Sequence, residues 1–102
     1  MNDAARRLCE RLQVRAPLCN APMAFVAGGR LAAAVRRAGG MGLVGGGYGD
    51  PAWIDEQLTI AHPVDVGVGL ITWALEQHPN TLPRLLRRGT SPIWLSFGDP
   101  SP

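Results

Sequence analysis

Lysine is absent from this chain of 102 residues, and all ten of its positive charges are arginines. Six of them form the separated pairs Arg6-Arg7, Arg36-Arg37 and Arg87-Arg88. Aromatic residues that could stack on bases do not alternate with these pairs, and the formal net charge is only +2. The pairs are therefore interpreted as solvated helix faces, and no nucleic-acid partner is expected.

Cysteine and long apolar runs are also scarce. Cys9 and Cys19 are the two cysteines, and neither belongs to a CxxC motif or has a histidine at ligand spacing. This pattern indicates neither a zinc site nor a small disulfide scaffold, so reduced thiols are expected. No apolar run approaches the length of about 18 residues that a membrane span needs, and no signal peptide is indicated. The sequence predicts a soluble, cytoplasmic protein without membrane contact.

The length and the 46% hydrophobic content suit a single small domain, which we assign to residues 1–102. Its first part, residues 1–14, is predicted to be a leading amphipathic helix. There Leu8 and Leu12 recur at helical spacing between arginines.

Apolar strands and helices alternate along the rest of the chain. Strand starts are predicted near residues 18, 42, 64 and 92, each about 22 to 28 residues from the next, with a helix in every gap. The first strand should end near Met23 or Ala24, because Pro22 blocks a helix and keeps Ala21 extended. Asp50-Pro51 should begin a helix, and Gly39 should end one. This order predicts a parallel sheet built from βα units.

Glycines are concentrated between residues 20 and 47, which hold eight of the thirteen. In parallel α/β folds the ligand lies at the carboxyl ends of the strands. Gly39, Gly40 and Gly42 fall at the opposite end and are interpreted as structural. Gly45 to Gly47 follow a strand, so they form either a simple turn or a surface on which a flat ligand rests against the backbone.

Familiar phosphate-binding motifs are missing. The glycines from Gly40 to Gly45 can be aligned with GxGxxG, but they straddle a strand instead of leading from it into a helix, and no GK[ST] is present. His62 and His78 precede prolines at predicted helix ends, where histidines are usually surface or capping residues. The residues alone therefore predict neither a Rossmann site, a P-loop nor a metal site.

Four motifs in order resemble one enzyme family. "APMA" at the end of the first strand is followed by "LAAAVRRAGGMGLVGGG", "VGVGLITW" and "IWLSFGDP". Between Leu18 and Pro100 the sequence is similar to the N-terminal portion of the nitronate monooxygenases, formerly called 2-nitropropane dioxygenases. This resemblance implies an α/β fold made of the first four βα units of a TIM-type (β/α)8 barrel, ending after the fourth strand.

The same resemblance implies the cofactor FMN and an oxidation of alkyl nitronates by O2. The backbone of the APMA motif would lie against the flavin ring, and residues at two later strand ends would border it. The implied cofactor-binding residues are Ala21, Pro22, Met23, Ala24, Gly69, Ser96 and Gly98. The family's catalytic histidine and flavin-phosphate site lie in later βα units, so no catalytic residue is assigned, and FMN should bind weakly or not at all.

Two alternatives stay open. Flavin-dependent enoyl thioester reductases and some quinone reductases share these opening motifs, so the reaction could instead be a reduction. A non-catalytic half-barrel is the other alternative. Its outer strands, the first and the fourth, would expose unpaired backbone groups and favour a homo-oligomer.

Overall fold

Helices and strands alternate through most of the chain. The computed structural model describes residues 1–99, so the last three residues of the predicted domain lie outside the described range. A 3-10 helix, Thr72–Gln77, joins the second strand to the last helix. The other elements are α1 (Asp3–Leu12), α2 (Gly29–Arg37), β1 (Leu43–Gly47), α3 (Pro51–Ala61), β2 (Gly67–Ile71), α4 (Thr81–Arg87) and β3 (Ile93–Ser96).

Local capping explains where several helices begin and end. The Asn2 side chain accepts a hydrogen bond from the Ala5 amide and begins α1. Asp50 does the same for Ala52, and Pro51 occupies the first turn of α3, as the sequence predicts. Gly39 follows α2 with φ +106°, which confirms its predicted left-handed conformation.

The three strands form a parallel sheet in the order β1-β2-β3, which confirms the predicted α/β class. Alternate side chains of each strand point to opposite faces. Val44, Val68 and Leu70 lie on the face that packs against the helices, where Ile54 and Leu85 complete a buried core. The opposite face carries a row of paired residues across the sheet, Gly45, Gly69 and Trp94.

The predicted first strand is wrong in extent. Between residues 18 and 24 only Cys19 makes a β-bridge, a parallel one to Met41. The Asn20 side chain then takes the place of main chain, because its Oδ1 accepts from the Leu43 amide at 2.8 Å and its Nδ2 donates to the Leu43 carbonyl at 2.8 Å. Pro22 has no amide to continue a ladder, and the chain turns back there. The sheet therefore has three strands within residues 1–99, and the predicted fourth strand is β3.

Candidate functional site

The carboxyl ends of all three strands meet around one cavity of about 320 Å³. The loop before α2 forms one wall, and the ends of the strands form the other. Five of the seven residues that the sequence assigns to the cofactor line it together. The full lining is Pro22, Met23, Ala24, Gly47, Gly69, Leu70, Ile71, Ser96 and Phe97.

The glycines on the open face of the sheet accommodate the Pro22–Ala24 loop. A Cβ atom at Gly45 would overlap the Met23 backbone, and one at Gly69 would overlap the Pro22 ring. The loop therefore lies directly on two adjacent strands, at a distance that only glycine permits. A flat ligand at this end of the sheet would contact the loop, while the backbone of Gly45 is already covered.

Internal hydrogen bonds hold the loop in shape. The Met23 amide donates to the Ala21 carbonyl at 2.9 Å, and the Met23 carbonyl accepts from the amides of Val26 and Ala27. Within residues 1–99, the Ala24 amide takes part in no hydrogen bond, and it remains available to a ligand. The loop therefore offers fixed geometry with a polar backbone group still unused.

Polar side chains are few at the far side of the cavity. Ser96 Oγ accepts from the Trp94 indole at 2.8 Å, which fixes the direction of both side chains. Thr72, directly after β2, has a buried hydroxyl that finds no partner within residues 1–99. A Cβ at Gly98 would lie 3.0 Å from the Thr72 Cβ, so Gly98 packs on Thr72. Gly98 and Ala21 are thus placed beside the cavity without lining it.

A row of aromatic rings extends along the same end of the sheet. The Phe25 ring lies 5.3 Å from that of Trp53 and 6.4 Å from that of Tyr48, and the Tyr48 ring lies 6.0 Å from that of Trp73. Phe25 and Phe97 have φ of +60° and +61° although bulky side chains rarely adopt this conformation. The sequence signalled this row only by placing Tyr48 directly after a strand and Trp73 two residues after another; the contribution of Phe25 was missed.

No candidate for acid–base chemistry lines the cavity. All nine lining residues are uncharged. His62 lies at the opposite end of the sheet, and His78 packs beneath Gly49. Within residues 1–99, no three His, Cys, Asp or Glu side chains are grouped so that they could hold a metal ion. The cavity is suited to binding a neutral, flat group and supplies no proton-transfer side chain of its own.

None of the helices in the described part of the chain has the length and apolar character required to cross a bilayer.

Comparison with known proteins identifies the fold. No protein-family model matches the chain, and no curated protein matches it. A point mutant of FabK from Thermotoga maritima is similar with a TM-score of 0.79 and 24% identity, over 92% of this chain and 32% of that one. Unmutated FabK is similar with a TM-score of 0.75 and 23% identity, over 92% of this chain and 31% of that one. The chain thus spans about a third of these neighbours and shares the fold of that third.

Proposed function

We propose that this chain forms the flavin-ring end of an FMN-dependent oxidoreductase. The observation that carries the proposal is the cavity at the strand ends, where Pro22, Met23 and Ala24 meet Gly69 and Ser96. The sequence resemblance assigns these residues to the cofactor, and the similarity to FabK supports a barrel-type flavoenzyme fold.

The chemical character of the cavity fits a flavin ring. Its lining is uncharged and mostly apolar, which suits the flat, apolar face of the ring system. The Ala24 amide is free to donate to a polar ring edge. The phosphate of FMN, in contrast, finds no cationic side chain in this lining. The fit is therefore to the ring, and the affinity for the whole cofactor should be no greater than that for the ring.

When bound, the flavin supplies the electron-transfer chemistry, and the protein positions it. Pro22 holds the loop backbone rigid through its fixed φ. The contact of Pro22 with Gly69 anchors the loop to β2 and so holds the Ala24 backbone in place beside the cavity. Phe97 and Met23 contribute apolar walls that exclude water from one side of the ring.

The finer proposal is that the substrate is an alkyl nitronate, oxidised with O2, as the sequence resemblance implies. The second candidate is reduction of an enoyl thioester or a quinone, since flavin-dependent reductases of both kinds share the opening motifs of this sequence. Oxidation of NAD(P)H that depends on an enoyl thioester would distinguish this candidate from nitronate-dependent O2 consumption.

Both cysteines are free thiols, which supports the proposed cytoplasmic location.

The test compares FMN with lumiflavin, which has the ring but no phosphate. In fluorescence titrations both should bind with a Kd on the order of 0.1 mM, from about 0.3 kcal/mol for each of the roughly 19 non-hydrogen atoms of lumiflavin, since only the ring system of FMN is expected to contact the cavity. The two values should agree within about twofold, because the lining offers the phosphate no partner.

Matched variants locate the binding. Met23→Glu should weaken lumiflavin binding about tenfold, since it places a charge against an apolar ring. Val26→Glu is the control, because Val26 is an exposed residue of the same segment that does not line the cavity. Absence of lumiflavin binding, or an equal loss in both variants, would contradict the proposal.

A further inference from the structure

A second cleft, of about 400 Å³, lies at the amino ends of the strands, on the side of the sheet away from the candidate flavin site. The end of α1 forms one wall. The segments that enter β2 and β3, residues 62–66 and 89–92, form the others. Helices and loops distant in sequence therefore converge on this cleft, and nothing in the proposed flavin function uses it.

Three arginines contribute to its walls: Arg11 of α1, Arg36 of α2 and Arg88 after α4. Asp65 is the one acidic residue in the lining. Arg36 donates to the Leu12 carbonyl at 3.4 Å, and Arg88 pairs with the exposed Asp55 at 3.5 Å. A hydrogen bond as long as 3.4 Å is weak, and an ion pair between partly exposed side chains contributes little. The guanidinium groups are thus gathered around the cleft with most of their donors uncommitted.

In two of the arginine pairs, one member lines this cleft and its sequence neighbour does not. Arg36 lines it and Arg37 does not; Arg88 lines it and Arg87 does not. Arg36 is partly buried at this cleft, whereas Arg37, Arg87 and Arg88 are exposed to solvent. A guanidinium is a planar fork that matches the oxygens of a phosphate in a two-point contact, which an ammonium cannot make.

The floor of the cleft is apolar. Met41, Leu58 and Val66 are buried side chains that belong to its lining, and Pro63 and Pro92 flank them. The hydroxyl-bearing residues Thr90 and Ser91 also contribute to the wall. The cleft therefore combines cationic walls with an apolar base, and its volume is in the range of small-molecule sites.

We propose that this cleft binds a small organic phosphate, with the phosphate between the arginines and an apolar body on the floor. Three positive charges against a single carboxylate favour an anion, and the buried floor favours a ligand that carries more than the anion. The site is independent of the flavin ring, which would lie at the carboxyl ends of the strands.

Titration calorimetry with three probes tests the ligand class. 1-Naphthyl phosphate has both parts, inorganic phosphate has the anion alone, and 1-naphthol has the apolar body alone. We expect 1-naphthyl phosphate to bind at least about tenfold more tightly than either other probe, and its affinity to fall as salt is raised. Equal affinity for 1-naphthyl phosphate and inorganic phosphate, or no binding, would overturn the proposal.

Matched variants assign the site. Arg36→Gln and Arg88→Gln should each weaken 1-naphthyl phosphate binding about tenfold, as expected for loss of a charge-assisted hydrogen bond. Arg37→Gln and Arg87→Gln, which change the net charge equally, should stay within about twofold of the unmodified chain. Arg36→Gln also removes the hydrogen bond to Leu12 at the end of α1, so the comparison of Arg88→Gln with Arg87→Gln keeps the test valid if that variant disturbs the fold. Lumiflavin affinity should be the same in all four variants.

Equal losses within each pair would show general attraction of anions to a basic surface and would refute a site in the cleft. The same conclusion would follow if a single-stranded oligonucleotide bound more tightly than 1-naphthyl phosphate and lost affinity in all four variants. Loss of lumiflavin binding with retained phosphate binding would count against the flavin proposal alone.

Discussion

The two edges of the sheet are treated differently by the same chain. In a parallel ladder, alternate residues bond to the same neighbour, so every second amide of an outer strand points outwards. At the β1 edge, each outward amide has an acceptor. The Met41 amide donates to the Leu18 carbonyl, the Leu43 amide to the Asn20 side chain and the Gly45 amide to the Ala27 carbonyl. At the β3 edge, Val68 bonds to the Pro92 carbonyl, which leaves the backbone groups of Ile93 and Leu95 directed outwards.

The difference shows that an irregular segment can close a sheet edge as completely as a strand. The side-chain amide of Asn20 replaces the backbone of one strand residue, because its Nδ2 donates and its Oδ1 accepts as a peptide group would. The edge at β1 is therefore unavailable for pairing with another chain. The predicted first strand is instead an irregular segment that covers β1, and β3 is the open edge among the described strands.

The largest effect should come from lifting the covering loop off β1. Gly45→Ala places a Cβ where the Met23 backbone lies, so the loop must move. We expect the free energy of unfolding to fall by about 3 kcal/mol, measured by urea denaturation. Gly89→Ala is the control: it adds a Cβ with nothing within 4 Å at φ +79° and should cost about 1 kcal/mol. Equal losses would show that the loop does not press on Gly45.

The next effect should come from removing the ladder-like amide. Asn20→Ala leaves the amide and carbonyl of the fully buried Leu43 without partners. The free energy of unfolding should fall by about 2 kcal/mol. Asn80→Ala is the matched control, because Asn80 precedes α4 without making a side-chain capping bond. It should change stability by less than about 0.5 kcal/mol. A neutral Asn20→Ala variant would show that water replaces the side chain.

We expect the unpaired β3 edge to cause self-association, giving the homo-oligomer that the sequence analysis names as an alternative. We expect light scattering to show a mass that rises towards a dimer with concentration, and Trp94→Lys to weaken that dimer about tenfold by placing like charges across the paired edge. Leu86→Lys changes an exposed residue of α4 away from the sheet and should leave association unchanged. A chain that stays monomeric at all concentrations would show that the β3 edge does not pair.

Much of the fold could be predicted from local chemistry. The cap at Asp50, the left-handed Gly39 and the helix that ends before Pro63 each follow from residues adjacent in sequence. The extent of the first strand could not be predicted this way. Its residues are apolar and extended, as a strand requires, yet the hydrogen-bond partner of Leu43 is a side chain, and side-chain mimicry of a ladder leaves no periodic signal.

The candidate site also has some features that could be predicted from the sequence and others that could not. The parallel order predicted which end of the sheet would carry it, and five of the residues assigned by resemblance do meet at one cavity. The strained Phe25 and the contact of Gly45 with the loop depend on how distant segments approach each other. Sequence spacing carries no information on that approach, so these features appear only in three dimensions.

The sequence by itself determined the α/β class, the helix ends and the parallel strand order, because capping, periodicity and strand order act over short distances or follow general rules. Tertiary structure alone decided what the glycines accommodate, which edge is sealed and which arginine of the Arg36-Arg37 and Arg87-Arg88 pairs lines the second cleft. These outcomes depend on contacts between residues more than twenty positions apart, such as Asn20 with Leu43, and only the packed chain brings such residues together.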